Sequence, residues 1–146
     1  MSMSRDELNE LLWYIAGELD IPSSYRDRAK ERYEGMGRWL RSSDSDINHL
    51  EPSVYVQGSM ALDTVIKPNT ADGGYDLDLV CEVNLGSEKI TQRKLKEVTG
   101  AEINKYAATH SMNSEPQSGR HCWTLEYSDK VNFHMDIVPA IPARDA

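Results

Sequence analysis

Asp76-Leu77-Asp78-Leu79 sets two carboxylates two residues apart inside an apolar run. In a strand, side chains at i and i+2 leave the same face. Asp76 and Asp78 therefore project together while Leu77 and Leu79 turn into a core. Two like charges side by side repel, and each resists ionisation unless a cation lies between them. Ligands that offer only oxygen favour a hard cation, so Mg²⁺ is expected here, with Mn²⁺ as a substitute. A third acid comes from the end of the chain. In residues 131–137, Phe133, Met135 and Ile137 alternate with His134 and Asp136, which puts Asp136 on the face opposite the apolar set. Three carboxylates on two strands can bind one or two divalent cations. Paired cations about 3.5–4 Å apart clamp the attacking and leaving oxygens of an in-line displacement at phosphorus.

A complementary half precedes the acid pair. The apolar run Val54, Tyr55 and Val56 stops at Gln57-Gly58-Ser59. A glycine lets the backbone come close to another group, and a following helical turn aims N–H donors and a hydroxyl at phosphate oxygens. Turn-rich residues 69–74 separate this segment from the acidic strand read over residues 75–83, which begins at Tyr75.

The elements that must position these groups follow in order. Ser4 and Glu7 have capping-box spacing, and Leu8, Leu11, Leu12, Ile15 and Leu19 form a helical stripe that Pro22 ends. A second helix opens at Ser23 or Ser24 and carries Tyr25, Ala29, Arg32, Met36, Trp39 and Leu40 at helical spacing. Trp13, Tyr25, Tyr33 and Trp39 are expected in the core. Residues 41–52 read as a polar connection, 54–57 as a strand, 60–62 as one helical turn and 64–67 as another strand. A helix is expected from residue 87 to about 109, with Leu95, Val98 and Tyr106 inward. Gly100 lies in its middle as a candidate kink. The lysines and arginine of that helix read as a solvated face, with a phosphate-facing patch as the alternative. Residues 112–119 form a loop, and 121–127 and 131–137 form a hairpin around 128–130. Two helices followed by strands give an α+β fold: helices over residues 1–50 and a mixed, mostly antiparallel sheet with the acidic site over 54–142.

Together these phrases resemble the three signatures of the polymerase-β-type nucleotidyltransferase superfamily: Gly58-Ser59, Asp76-Leu77-Asp78-Leu79 and His134-Met135-Asp136-Ile137. The wider phrases VYVQGSMALDTVIKP, YDLDLVCEV and HMDIVPAIP are similar to bacterial CD-NTases, relatives of cGAS and oligoadenylate synthase. The helix pair ending in Arg38-Trp39-Leu40 fits the same family. The resemblance implies a nucleotidyltransferase that joins nucleoside triphosphates, ATP among them, into cyclic or linear oligonucleotide second messengers in antiphage defence. It implies metal ligation by Asp76, Asp78 and Asp136, with Asp136 also helping to activate the acceptor hydroxyl. Gly58 and Ser59 would hold the donor phosphates, with support from Gln57 and Thr64. For those last two, hydrogen bonding within the turn is an equal alternative. CD-NTases carry a second, mostly helical lobe, and this chain stops after the third-acid strand. The expectation is an N-terminal catalytic portion whose activity alone is open. Alternatives are a non-catalytic nucleotide-binding or interaction domain and a small nucleotidyltransferase that modifies a protein or RNA.

The totals set limits. A chain of 146 residues with 39% hydrophobic and 27% charged residues fits one globular domain. A formal charge of −8 argues against a surface that coats nucleic acid, so no stable nucleic-acid partner is expected. Cys81 and Cys122 lack metal-ligand spacing and are read as buried free thiols. No second His or Cys joins His134 in a transition-metal set. A polar N-terminus and the lack of a long apolar run point to a cytoplasmic protein without a membrane partner. Defence-system partner proteins and self-association remain open.

Overall fold

A computed structural model describes residues 2–70, 73–128 and 132–143. The first helix, α1 (Arg5–Leu19), starts as its sequence demands. Ser4 Oγ accepts from the Glu7 amide at 3.2 Å, and Glu7 Oε2 accepts from the Ser4 amide at 2.8 Å. Its apolar stripe does not find a core. Leu8, Leu11, Leu12, Ile15 and Leu19 are exposed, and Trp13, expected inside, is 80% exposed. Helical periodicity reports an amphipathic face but not its cover, and no described element packs along this one. The end of α1 is held: Lys67 donates its amide to the Leu19 carbonyl at 2.8 Å, and Asp20 bridges Ile66.

The second helix, α2 (Ser23–Leu40), buries Ala29, Met36 and Leu40, and Tyr25, Tyr33 and Trp39 pack beside them as expected. A short 3₁₀ turn (Asn48–Leu50) leads into β1 (Ser53–Val56), the five-residue helix α3 (Gly58–Leu62) and β2 (Tyr75–Glu82). Next come α4 (Gln92–Thr109), the two-residue β3 (Gln117–Ser118), β4 (Trp123–Ser128) and β5 (Asn132–Ala140). The sheet order is β1-β2-β5-β4-β3. Only β2 and β5 run parallel, so the sheet is mixed and mostly antiparallel, as expected. Leu77, Leu79 and Cys81 of β2, Phe133, Met135 and Ile137 of β5 and Leu125 of β4 form one fully buried face. Ala29, Met36 and Leu40 of α2 and Ile103, Tyr106 and Ala107 of α4 share this core. Fully burying each large side chain contributes roughly 1.5–3 kcal/mol, so this layer sets the register of the strands.

Several local expectations are corrected. Residues 64–67 are not a strand: only Ile66 makes a single bridge, because Pro68 lacks the donor needed to extend a ladder. Residues 87–89 are a turn, and α4 begins at Gln92 because Thr91 caps it, its hydroxyl accepting from the Lys94 amide at 3.1 Å. The short helix starts at Gly58 rather than Met60. The loop after α4 contains β3, which edges the sheet. Strand β4 starts at Trp123, and β5 continues through Pro139 to Ala140, opposite Glu82. Cys81 is buried, and burial pushes its thiol up to about 12, but Cys122 is only half-buried. Asp129 and Lys130 of the hairpin turn, Val131 at the expected start of the last strand, and Ala71 and Asp72 of the preceding loop lie outside the described residues.

Gly100 does not break α4, which is continuous from Gln92 to Thr109. A Cβ on Gly100 would overlap the indole of Trp123, lying 2.6 Å from its Nε1. That ring is held by donation from Nε1 to the Lys96 carbonyl at 3.0 Å, with Lys96 Nζ 5.6 Å from the ring centroid. The glycine makes room for the tryptophan. Helix propensity alone predicts that Gly100→Ala stabilises by about 1 kcal/mol, whereas overpacking against the ring costs about 1–3 kcal/mol. We expect the substitution to lower the urea midpoint, and to become neutral or stabilising in a Trp123→Ala background. A raised midpoint in the wild-type background would refute the packing argument.

Candidate active site

The sheet face opposite the helices carries the acids. In the parallel pairing of β2 with β5, Asp76 lies beside His134 and Asp78 beside Asp136. Paired positions in a ladder point to the same side. All three sequence-derived carboxylates thus share one face, in adjacent positions on two neighbouring strands. Asp76 is exposed, whereas Asp78 and Asp136 are half-buried. Antiparallel pairing with β4 adds Thr124 beside Asp136 and Glu126 beside His134. The Thr124 hydroxyl donates to Asp136 Oδ1. Neither Thr124 nor Glu126 was singled out from the sequence. Their signal is the hairpin register, which needs the turn length to be read.

The Gly58-Ser59 turn is joined to the same strand. The Gln57 amide donates to the Asp78 carbonyl at 2.8 Å, extending β1 by one bond beyond Val56. The chain then turns at Gly58 with φ +65°, a left-handed conformation that favours glycine. A Cβ on Gly58 would overlap the Asp78 carboxylate, with Cγ 3.2 Å away. The glycine therefore brings backbone directly against Asp78, a close approach that the sequence did not disclose. Ser59 is half-buried, and its carbonyl accepts the amides of Asp63 and Thr64, the latter at 2.9 Å. Thr64 closes the turn through its backbone. Among the described residues, the side chains of Gln57, Ser59 and Thr64 make no hydrogen bond, so those groups remain available to a ligand.

A tether holds this turn from behind. Arg26 of α2 pairs with Asp20 at 2.9 Å and with Asp63, the left-handed residue that ends α3. Its two partners raise the Arg26 guanidinium above its ordinary value, the Asp20 hydrogen bond most strongly. A separate cleft of about 1150 Å³ lies between the first turn of α4 and the end of β5, lined in part by Lys89, Arg93 and Arg120. It contains none of the three carboxylates.

Among the described residues no three His, Cys, Asp or Glu side chains close into a ready-made metal cage. The donor set nevertheless fits Mg²⁺. It is all carboxylate, it repels itself, and Mg²⁺ takes one or two protein carboxylates with water and substrate phosphates completing the shell. Burial and repulsion act together at Asp78. Burial, then the charge of Asp136, then that of Asp76, hold its carboxyl above the ordinary value. Folded Asp78 thus keeps its proton to higher pH than unfolded Asp78. The folded state then loses stability as pH rises from the ordinary carboxylate range, about 3.9, through the raised value. Asp78→Asn removes that liability. Without divalent cations the variant is expected to melt above the wild type at pH 7, the gap closing below about pH 3.9. Thermal melts across this range test the sign, and an equal or lower melting point at pH 7 would contradict it.

Comparison with known proteins places the fold and the family. Residues 52–139 match the family model for the nucleotidyltransferase domain of cyclic GMP-AMP synthase DncV-like proteins. The chain is 30% identical over 138 residues to the cyclic dinucleotide synthase CdnG of Bradyrhizobium diazoefficiens, covering 92% of this chain and 30% of that protein. It is 26% identical over 138 residues to a c-di-GMP synthase of Roseivirga ehrenbergii, covering 94% and 35%. It therefore spans about a third of the length of the curated relatives it matches. The solved structure of B. diazoefficiens CdnG in complex with GTP superposes with a TM-score of 0.71 at 26% identity, over 87% of this chain and 35% of that one. Vibrio cholerae DncV shares the fold, with a TM-score of 0.68 at 13% identity over 86% and 46%. A match across the whole acid-bearing sheet, from Pro52 to Pro139, shows that the chain belongs to the DncV-like nucleotidyltransferase family.

Proposed function

We propose that this chain is the catalytic core of a larger nucleotidyltransferase that joins nucleoside triphosphates into cyclic or linear oligonucleotide second messengers for antiphage defence. The observation that carries this reading is the alignment of Asp78 with Asp136 across β2 and β5, with Asp76 on the same face and Gly58 backbone against Asp78. Relatives support it: one is a cyclic dinucleotide synthase, one a c-di-GMP synthase, and the solved CdnG is bound to GTP. The DncV structure with the linear intermediate 5' pppA(3',5')pG supports stepwise synthesis. In the whole protein a second, mostly helical lobe would close over the acidic face of residues 54–142. The complex of E. coli CdnC with HORMA supports a protein partner. Triphosphate substrates imply a cytoplasmic enzyme.

Asp76, Asp78 and Asp136 would hold two Mg²⁺ ions, or Mn²⁺ in their place, which supply charge neutralisation at the triphosphate. The Gly58 and Ser59 backbone, with the Ser59 hydroxyl, would bind the donor phosphates, and Gln57 and Thr64 would keep the turn in shape. Asp136 would orient the acceptor ribose hydroxyl and help withdraw its proton. The hydroxyl oxygen then bonds to the α-phosphorus, the bond to the bridging oxygen breaks, and pyrophosphate leaves. Positioning and fixed charge account for the rate, since the residues themselves form no covalent intermediate.

The test uses the full-length protein with labelled nucleoside triphosphates and Mg²⁺ or Mn²⁺. Cyclic or linear oligonucleotide should form, vanish with EDTA, and fall at least about 10²–10³-fold in Asp76→Ala and Asp136→Ala. Label transferred to a protein or RNA, or no turnover with any nucleotide, would overturn the proposal.

A further inference from the structure

We propose that Thr124 is a positioning residue for the third carboxylate. Its hydroxyl, donating to Asp136 Oδ1, sets the orientation in which Asp136 meets a divalent cation. The inference rests on the metal-dependent reading above and adds a residue that this reading does not contain. Three observations carry it. Thr124 and Asp136 are direct partners across the antiparallel β4–β5 pair, so their side chains leave the same face as near neighbours. Both are half-buried, and the hydroxyl donates to the carboxylate. Asp136 has no ion pair with any described Lys, Arg or His, so Thr124 is the donor that orients it among the described residues.

The chemistry of the donor matters. A free aspartate rotates broadly about χ2, and a site that shares cations between strands needs one orientation. A lysine or arginine at position 124 would fix the carboxylate but add a positive charge that competes with the cation. A threonine hydroxyl fixes it with a neutral dipole and leaves the carboxylate charge available. It engages Oδ1, so Oδ2 and a second lone pair of Oδ1 remain for a metal. Threonine is also stiff at χ1 and favoured in strands, so its hydroxyl is itself held in place. Donors that orient a metal-ligating carboxylate typically change metal affinity 10–100-fold when removed.

The test compares wild type, Thr124→Val and Thr124→Ser in the full-length protein, with Asp136→Ala as the reference. Valine keeps the shape and strand preference without the hydroxyl; serine keeps the hydroxyl. Two readouts are taken: Mn²⁺ binding by electron paramagnetic resonance in the presence of a non-hydrolysable nucleoside triphosphate, and the Mn²⁺ concentration that half-saturates turnover. Thr124→Val is expected to weaken both about 10–100-fold, with turnover largely recovered at saturating Mn²⁺, and Thr124→Ser to stay within a few-fold of wild type. Wild-type Mn²⁺ affinity in Thr124→Val, or an equal defect in Thr124→Ser, overturns the role of Thr124 and leaves the catalytic reading standing. Mn²⁺ binding by wild type that persists in Asp136→Ala overturns both. A turnover loss in Thr124→Val that saturating Mn²⁺ does not recover, with unchanged affinity, assigns Thr124 to packing and refutes the proposal.

Discussion

Everything at the site depends on the register between β2 and β5. Side chains in both strands alternate, so one pairing sends Leu77, Leu79, Met135 and Ile137 into the helices and Asp76, Asp78 and Asp136 to the other face. A slip of one residue in either strand would bury carboxylates and expose leucines or a phenylalanine. Burying an unpaired carboxylate costs far more than the repulsion between two acids at the sheet surface. The apolar layer therefore holds the acidic layer together against its own charge. Burial first, and then the charges of Asp136 and Asp76, hold the Asp78 carboxyl above its ordinary value.

The Gly58-Ser59 turn is bound to the same register through backbone. Gln57 donates to the Asp78 carbonyl, and Gly58 rests against the Asp78 carboxylate. Any shift of β2 would carry both halves of the site with it. Arg26 pins the far end of the turn through Asp63 and joins it to the junction of the first two helices through Asp20. The turn, the acidic strand and the helix junction are thus tied to one another by backbone hydrogen bonds and ion pairs.

How legible this was in the sequence varied with the kind of information each feature needs. The acid pair and Asp136 could be read because strand alternation is local: Asp76, Leu77 and Asp78 declare their faces without reference to another strand. Gly58-Ser59 could be read because a glycine ending an apolar run is a local signal too. Thr124 could not, since its contact depends on which residue of β4 faces Asp136, and one residue more or less in the turn changes that. Trp13 was misread for a related reason. Its helix has an apolar stripe, but periodicity does not say whether anything covers it, and here it is 80% exposed. Gly100 carried a propensity signal whose cause, the indole of Trp123, lies 23 residues along the chain.

The strand order also has a consequence for how the molecule comes into being. Strand β5 lies at the centre of the sheet, between β2 and β4, yet follows them both along the chain. During synthesis from the N-terminus, β2 and β4 emerge with facing edges unpaired, and such edges invite pairing with other chains. Asp76 and Asp78 sit on one of those waiting edges, where charge discourages adhesion. Until β5 inserts, the three acids cannot meet, and a nascent chain holds only two of them. The acidic face is therefore completed only by the last strand along the chain, although two of its three carboxylates lie on a strand that precedes it.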